Sequence, residues 1–324
     1  MAKPIKSMGP VLVTGGSGFV GANLVRRLAA GGADVHLFLR NEARTWRLED
    51  VLPSVRVHRL DLRDEPAVRE AVDAVRPAVV FHLAAYGAYS SQTDAARILR
   101  TNFDATVTLV EACARHGFRM FVHAGSSSEY GRKDHPMREE DMLDPNSAYA
   151  VAKAAATHYC RFAAVSRKLP IVTLRLFSVY GPWEEPSRFV PTLAFRLMDG
   201  GLPPLVSPET ARDFIHVDDV VDVCEKVSSR EDLAGEVLNV GTGRQSTIRD
   251  VVELALTLTG VKAEPRWGDM PGRPWDTSVW VSDSSKVQRT LNWEPRYDLR
   301  AGLEQSFDWF RRHRTVYEKV SAPA

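Results

Sequence analysis

The stretch "VLVTGGSGFVG", residues 11–21, carries the reading of the whole chain. An apolar run, Val11 to Val13, passes into Gly15, Gly16, Gly18 and Gly21, and a segment of helical period follows. Two overlapping frames, Gly16-x-Gly18-x-x-Gly21 and Gly15-x-x-Gly18-x-x-Gly21, fit a strand–turn–helix that binds a dinucleotide. Glycine is needed there because side chains would block the turn, the approach of a pyrophosphate, and the packing of helix on strand. The helix that follows offers the amides of its N-terminus to the phosphates. Glycine triplets occur in many turns. This one gains weight from its place after a strand, before a helix, and at the start of a βαβ unit.

The same alternation continues outward. Strand-like runs "DVHLFL" (34–39), "VRVHRLDL" (55–62), "AVVFHLAA" (78–85), "MFVHAGS" (120–126) and "IVTLRL" (171–176) are separated by helix-length segments. One of these opens near Glu65, one runs through Asn102 to His116, and one covers Ala148 to Val165. Repeated strand–helix–strand order predicts an α/β fold, a doubly wound parallel sheet of the Rossmann type with helices on both faces. From "YGPWEEPSRFVP" (180–191) onward, prolines, tryptophans and arginines become frequent and the apolar runs shorten. We therefore expect a dinucleotide-binding domain over residues 1–180 and a smaller substrate-binding cap over 181–324. The run "GEVLNVG" (235–241) is expected to return to the main sheet.

Composition narrows the function classes. The chain has 324 residues, 44% of them hydrophobic, and a formal charge of +1, so nothing draws it as a whole to nucleic acid or to anionic lipid. No apolar run is long enough to span a bilayer and "MAKPIKSMGP" is not a cleavable leader, so a cytoplasmic location is expected. Cys113, Cys160 and Cys224 are scattered, and the nine histidines lack ligand-like spacing; neither disulfides nor a metal are implied.

Chemistry is suggested by "NSAYAVAKAAATHYC", which puts Tyr149 and Lys153 four residues apart on one helical face. A free phenol, with a pKa of about 10, is a poor proton-transfer group at neutral pH. A neighbouring ammonium would favour its ionised form. "HAGSSSEYG" ends the preceding strand at the same sheet edge and brings Ser126 to where it could hold a substrate oxygen beside that phenol.

Taken together, "TGGSGFVG", "RLDLRD", "FHLAA", "TNFDAT", "AGSSSEYG", "YAVAK", "RLFSVYGP", "RDFIHVDDV", "LNVGTG" and "LNWEPRYDLRAGL" resemble the extended short-chain dehydrogenase/reductases of the nucleotide-sugar epimerase/dehydratase superfamily. The resemblance covers almost the whole chain. It implies a catalytic triad of Ser126, Tyr149 and Lys153, with Lys153 also holding the nicotinamide ribose. It implies a cofactor surface of Gly15, Gly18, Phe19, Val20, Gly21, Asp61, Leu62, Leu83, Ala84, Ala85 and Asn102. Arg212 in "RDF" and Arg273 in "PGRPWD" would clamp the substrate diphosphate, as arginine forks suit phosphate. Arg188 is a further substrate candidate, as are Tyr86 and Ser127. Ser178 stands where the family often has asparagine, a departure that leaves the sugar unnamed. A homodimer is implied as well, pairing the helix of Tyr149 with the helix after Asn102. Ala154, Ala155 and Ala156 would permit close approach.

The reaction turns on two local features. Family 4,6-dehydratases carry an acidic pair directly after the catalytic Ser/Thr, for the extra acid and base that elimination needs. Ser127 and Ser128 occupy those positions here and Glu129 is displaced by one, which disfavours dehydration. The second strand ends not in the carboxylate that would grip the ribose of NAD but in Leu39 and Arg40, with Asn41 and Arg44 following. Arg40 could pair with the 2′-phosphate of NADP(H), and Asn41 and Arg44 could add contacts. The expected activity is therefore NADPH-dependent reduction of a nucleotide-linked 4-ketosugar. NAD(H) is the alternative cofactor and 4-epimerisation the alternative reaction.

Overall fold

The computed structural model describes residues 7–89, 91–272 and 277–321. Its first six strands are β1 (Val11–Thr14), β2 (Val35–Leu39), β3 (Arg56–Arg59), β4 (Val79–His82), β5 (Met120–Ser126) and β6 (Ile171–Leu176). Short strands β7 (Ser178–Tyr180), β8 (Ala211–Arg212) and β9 (Phe214–His216) follow, then β10 (Val237–Val240) and β11 (Ser246–Thr247). The helices of the first half are α1 (Phe19–Ala30), α2 (Glu65–Val75), α3 (Ala95–Leu99), α4 (Ala105–Ala114) and α5 (Ala148–Arg167). Those of the second half are α6 (Phe189–Met198), α7 (Val217–Val227), α8 (Ile248–Thr259), α9 (Ser285–Leu291), α10 (Leu299–Arg312) and α11 (Arg314–Ser321).

Seven strands form one parallel sheet in the order β10-β6-β5-β4-β1-β2-β3, the doubly wound arrangement that the alternation predicts. Its central strands are buried on both faces, and the two-residue period sorts their side chains. Val11, Val13, Leu37, Val79, Phe81 and Val122 join α1 and α7 in one core. Leu12, Phe38, Val80 and Phe121 join α2, α4 and α5 in the other. The segment from Ala95 to Ala114 is helical with a π turn over Arg100–Asp104, so the predicted helix begins earlier than Asn102 and is not uniformly α.

A third core unites α6, α8, α10 and Tyr317 with Trp46 of the loop after β2. The core of the sheet also draws on chain beyond residue 180. β10 pairs with β6, while α7 and Val287, Leu291 and Trp293 pack with the sheet core. The apolar face of α7, with Val220, Val221, Cys224 and Val227, seats beside α1 in the sheet core. The carboxyl ends of β1, β2, β4 and β5 and the loops that face them border a cleft of about 970 Å³.

Candidate active site

The glycine turn builds one end of the cleft. Gly15 has φ +70°, and a Cβ there would lie 2.6 Å from the Ala84 nitrogen; at Gly21 it would lie 2.2 Å from the Gly15 carbonyl oxygen. Only glycine allows β1, α1 and the end of β4 to approach so closely. Gly18 caps α1 without any side chain over its first amides. Gly15, Gly18, Phe19, Val20 and Gly21 all line the cleft. A twelve-residue helix with an uncovered N-terminus at a glycine turn fits a dinucleotide pyrophosphate. Asp61, Leu62, Leu83, Ala84 and Ala85 continue the same wall.

Asn102 does not reach this surface. It is fully buried, accepting from the Tyr86 nitrogen at 3.0 Å and donating to the Tyr86 carbonyl at 2.6 Å, so it shapes the loop after β4 instead of lining the cleft. Asn41 is exposed and likewise does not line the cleft. At the end of β2, Leu39 is buried, while Arg40 and Arg44 border the cleft. Both carboxylates at that end are engaged, Glu42 by Arg40 at 3.0 Å and Asp61 by Arg63. Arg44 makes no ion pair among the described residues. Arg47, close in sequence, behaves differently. It is 4% exposed and donates to the carbonyls of Ser17 and Trp183 and to Glu185, joining the glycine turn to the cap.

The floor of the cleft brings Ser126, Tyr149 and Lys153 together. Ser147 caps α5, accepting from the Ala150 nitrogen at 3.1 Å, and thereby sets where the helix begins and how Tyr149 is aimed. Burial pushes the Tyr149 phenol up to about 12, against which a hydrogen bond from Ser126 and the charge of Arg188 pull it down. Lys153, one turn further along α5, lines the same floor. Its Nζ turns to the Ala124 carbonyl at 2.9 Å, and burial brings its pKa down to about 8. Ser126 Oγ accepts from the Ser128 nitrogen at 3.1 Å, which leaves its own proton for the phenol or for a bound oxygen. Beneath them His82 bridges Thr14 and Thr106, and burial lowers its pKa to about 3.

The far wall comes from the segment after β7. Arg188 lies 3.7 Å from Glu184, and its guanidinium sits 5.9 Å from the Tyr89 ring centre. Glu184 is buried with one carboxylate oxygen unpartnered, and burial raises its pKa to about 8. Arg212 lines the cleft beside Trp280 while its neighbour Asp213 is sealed inward, accepting from Thr242, Gly243 and Ser282. Tyr86, Ser127 and Ser178 also line the cleft. Arg273 lies outside the described residues. Sequence reasoning missed Glu184, Glu185 and the inward turn of Arg47. Their partners stand more than a hundred residues away or depend on a fold of the loop that no local period announces. Among the described residues, no group of three or more His, Cys, Asp and Glu side chains could hold a metal, and no helix is long and apolar enough to cross a membrane.

Comparison with known proteins agrees with this architecture. The model of the NAD dependent epimerase/dehydratase family matches residues 11–241. A dTDP-glucose 4,6-dehydratase of Streptomyces griseus is 34% identical, the match covering 96% of each chain. The uncharacterized UDP-glucose epimerase YtcB of Bacillus subtilis is 32% identical over 90% of this chain and 95% of its own. Among solved structures, MoeE5 in complex with UDP-glucuronic acid and NAD superposes with a TM-score of 0.82 at 35% identity, covering 94% of this chain and 99% of the other.

Proposed function

The chain belongs to the NAD dependent epimerase/dehydratase family, and within that family we propose that it is an NADPH-dependent reductase of a nucleotide-linked 4-ketosugar. One observation carries the choice of cofactor. The second strand ends in a buried leucine, and the cleft beside it is bordered by Arg40 and Arg44, while the described carboxylates there, Glu42 and Asp61, are paired with Arg40 and Arg63. A 2′-phosphate would take the place of Glu42, which is two-thirds exposed, as the partner of Arg40. A reductase spends its cofactor each turnover, which suits NADPH.

Gly15, Gly18 and Gly21 with the first turn of α1 would hold the pyrophosphate, and Lys153 would hold the nicotinamide ribose. When bound, the nicotinamide supplies the hydride. Ser126 would hold the reacting oxygen with the proton its capping geometry leaves free, and Tyr149 would deliver a proton to that oxygen. A phenol held near 12 is fully protonated at neutral pH, the state a proton donor needs. Arg188, Arg212 and Arg273 would take the nucleotide diphosphate and sugar, with Tyr86, Ser127 and Ser178 around the ring. Dehydration would require a further base. Ser127 and Ser128 supply no carboxylate, and Glu129 is fully buried against Arg175.

A second reading is favoured by the names of the relatives. An epimerase among them, and a neighbour holding NAD with a nucleotide sugar, support transient oxidation and return of the hydride to the opposite face. One experiment separates the two. Mixing the enzyme with NADPH and candidate nucleotide 4-ketosugars in stopped flow should consume the nicotinamide absorbance stoichiometrically. Interconversion of two 4-hydroxy sugars without net change in that band would establish the epimerase instead.

We also propose a homodimer through α5. Val151, Phe162 and Val165 are 45%, 55% and 55% exposed and recur on one helical face. Of the alanines expected to mediate the approach, Ala154 and Ala156 are buried within the protomer, whereas Ala155 is half-buried on the same face as Val151 and Phe162. A monomeric mass by light scattering at micromolar concentration would refute the dimer.

A further inference from the structure

Glu129 has no place in the scheme above, yet it is the most deeply committed carboxylate near the reacting groups. It is fully buried. Its Oε1 accepts from the Ser126 backbone nitrogen at 2.8 Å and from the Thr157 hydroxyl at 3.0 Å, and its Oε2 from Arg175 Nε at 2.8 Å. Arg175 is 3% exposed and donates in turn to the Tyr130 hydroxyl, which donates to Asn239 on β10. Thr157 stands one turn after Lys153 and two turns after Tyr149 on α5. A single side chain thus touches the strand end that bears Ser126 and the helix that bears the other two groups.

We propose that Glu129 is a positioning residue of the reaction: its carboxylate holds the end of β5 and the helix α5 in one register, and places a negative charge beside the Lys153 ammonium. An apolar side chain would pack there without the cost of burying an ion pair. It could not accept from both elements at once, nor charge the site. The electrostatic part agrees with the surroundings of Lys153. Burial lowers its pKa, and Glu129 is the foremost group holding it up, with Cys160 second. The other titratable neighbours are Tyr149 on α5, whose phenol burial keeps protonated, and His82 on β4 and His123 on β5, both kept neutral by burial.

The role of Lys153 in turnover rests on the reductase or epimerase reading, but its titration needs no substrate. The test is therefore ¹³C-lysine NMR of the full chain across pH, with the Lys153 resonance identified by its loss in Lys153→Met. The wild-type midpoint is expected near 8. In Glu129→Gln it should fall by roughly one pH unit or more, because one charge at short range has gone. In Glu129→Asp, which keeps the charge, it should stay close to the wild type. If Glu129→Gln does not fold, the double variant Glu129→Gln/Arg175→Met removes the buried pair together and should show a smaller fall in the same direction, because the positive charge of Arg175 goes with the carboxylate. A midpoint that does not move in whichever of these folds overturns the proposal. With any nucleotide sugar that is turned over, Glu129→Gln should lower kcat at neutral pH with KM retained, and the alkaline limb of the pH profile should move to lower pH. An unchanged profile also counts against the proposal. Failure to turn over any nucleotide sugar, with the NMR midpoint displaced, would count against the reaction and not against Glu129.

Discussion

The floor of the cleft and its ribose end are built from different materials. On the floor, Lys153 is 2% exposed and Ser126 9%, and each has a fixed hydrogen-bond partner. At the end of β2 the Arg40 side chain is 43% exposed and paired with an exposed Glu42. Buried polar groups must be satisfied in one geometry, so the floor admits one arrangement. Exposed ion pairs contribute little and exchange partners readily. The arrangement of the floor is therefore set by the fold, whereas the end of β2 is a loop whose ion pair a ligand can reorganise.

The contrast is tested most severely at the floor. Tyr149→Phe should remove nearly all turnover while cofactor affinity stays close to wild type, since the glycine turn is untouched. Retention of more than a tenth of kcat, about 1.4 kcal/mol of barrier, would remove the phenol from the mechanism.

The cap wall offers the next largest effect, on stability. Glu184 is raised from the ordinary carboxylate range to about 8, with burial as the chief cause. Between those two values the folded state holds a proton that the unfolded state has lost, so stability falls as pH rises through this window. Glu184→Gln needs no such proton. Denaturant midpoints should show the variant gaining on wild type from about pH 5 to about pH 8, by up to a few kcal/mol, since each tenfold change in proton affinity is worth about 1.4 kcal/mol. Parallel pH dependence in the two proteins would mean that the carboxylate finds a partner in solution.

Diphosphate recognition should come third. Arg212→Ala and Arg273→Ala should each weaken a nucleoside diphosphate by about 1.5–3 kcal/mol, with little change for the cofactor, as calorimetry can measure. Unchanged affinity in both would show the cap wall to be misassigned.

The smallest effect belongs to the exposed end. Arg40→Ala should weaken NADPH several-fold and leave NADH nearly unmoved, because only the former loses a charged pair. Nicotinamide fluorescence titration reads both. If NADH binds wild type as tightly as NADPH, the cofactor assignment fails, and the floor stands without it.

Much of the fold and part of the site are legible in the chain alone. Gly15 and Gly21 can be read because the constraint is steric and local. The parallel sheet can be read because buried strands write continuous apolar runs, and Tyr149 with Lys153 because helical spacing brings them to one face. Other residues escape for a physical reason. Asn102 looks like a cofactor residue, yet its amide is consumed by the backbone of Tyr86. The Ala154 and Ala156 methyls look like a contact surface, but helix periodicity alone does not say which face of α5 the sheet covers.

Short-range sterics and periodicity thus account for the strand–turn–helix, the alternation of strands and helices along the chain and the chemical types gathered at the sheet's carboxyl edge. What each charge does was left to long-range folding. Glu129 turned inward to Arg175, Arg47 tied the glycine turn to Trp183 and Glu185, and Lys153 bonded the Ala124 carbonyl. A buried charge goes wherever it is hydrogen-bonded and paired, and those partners are brought near by folding over long stretches of chain.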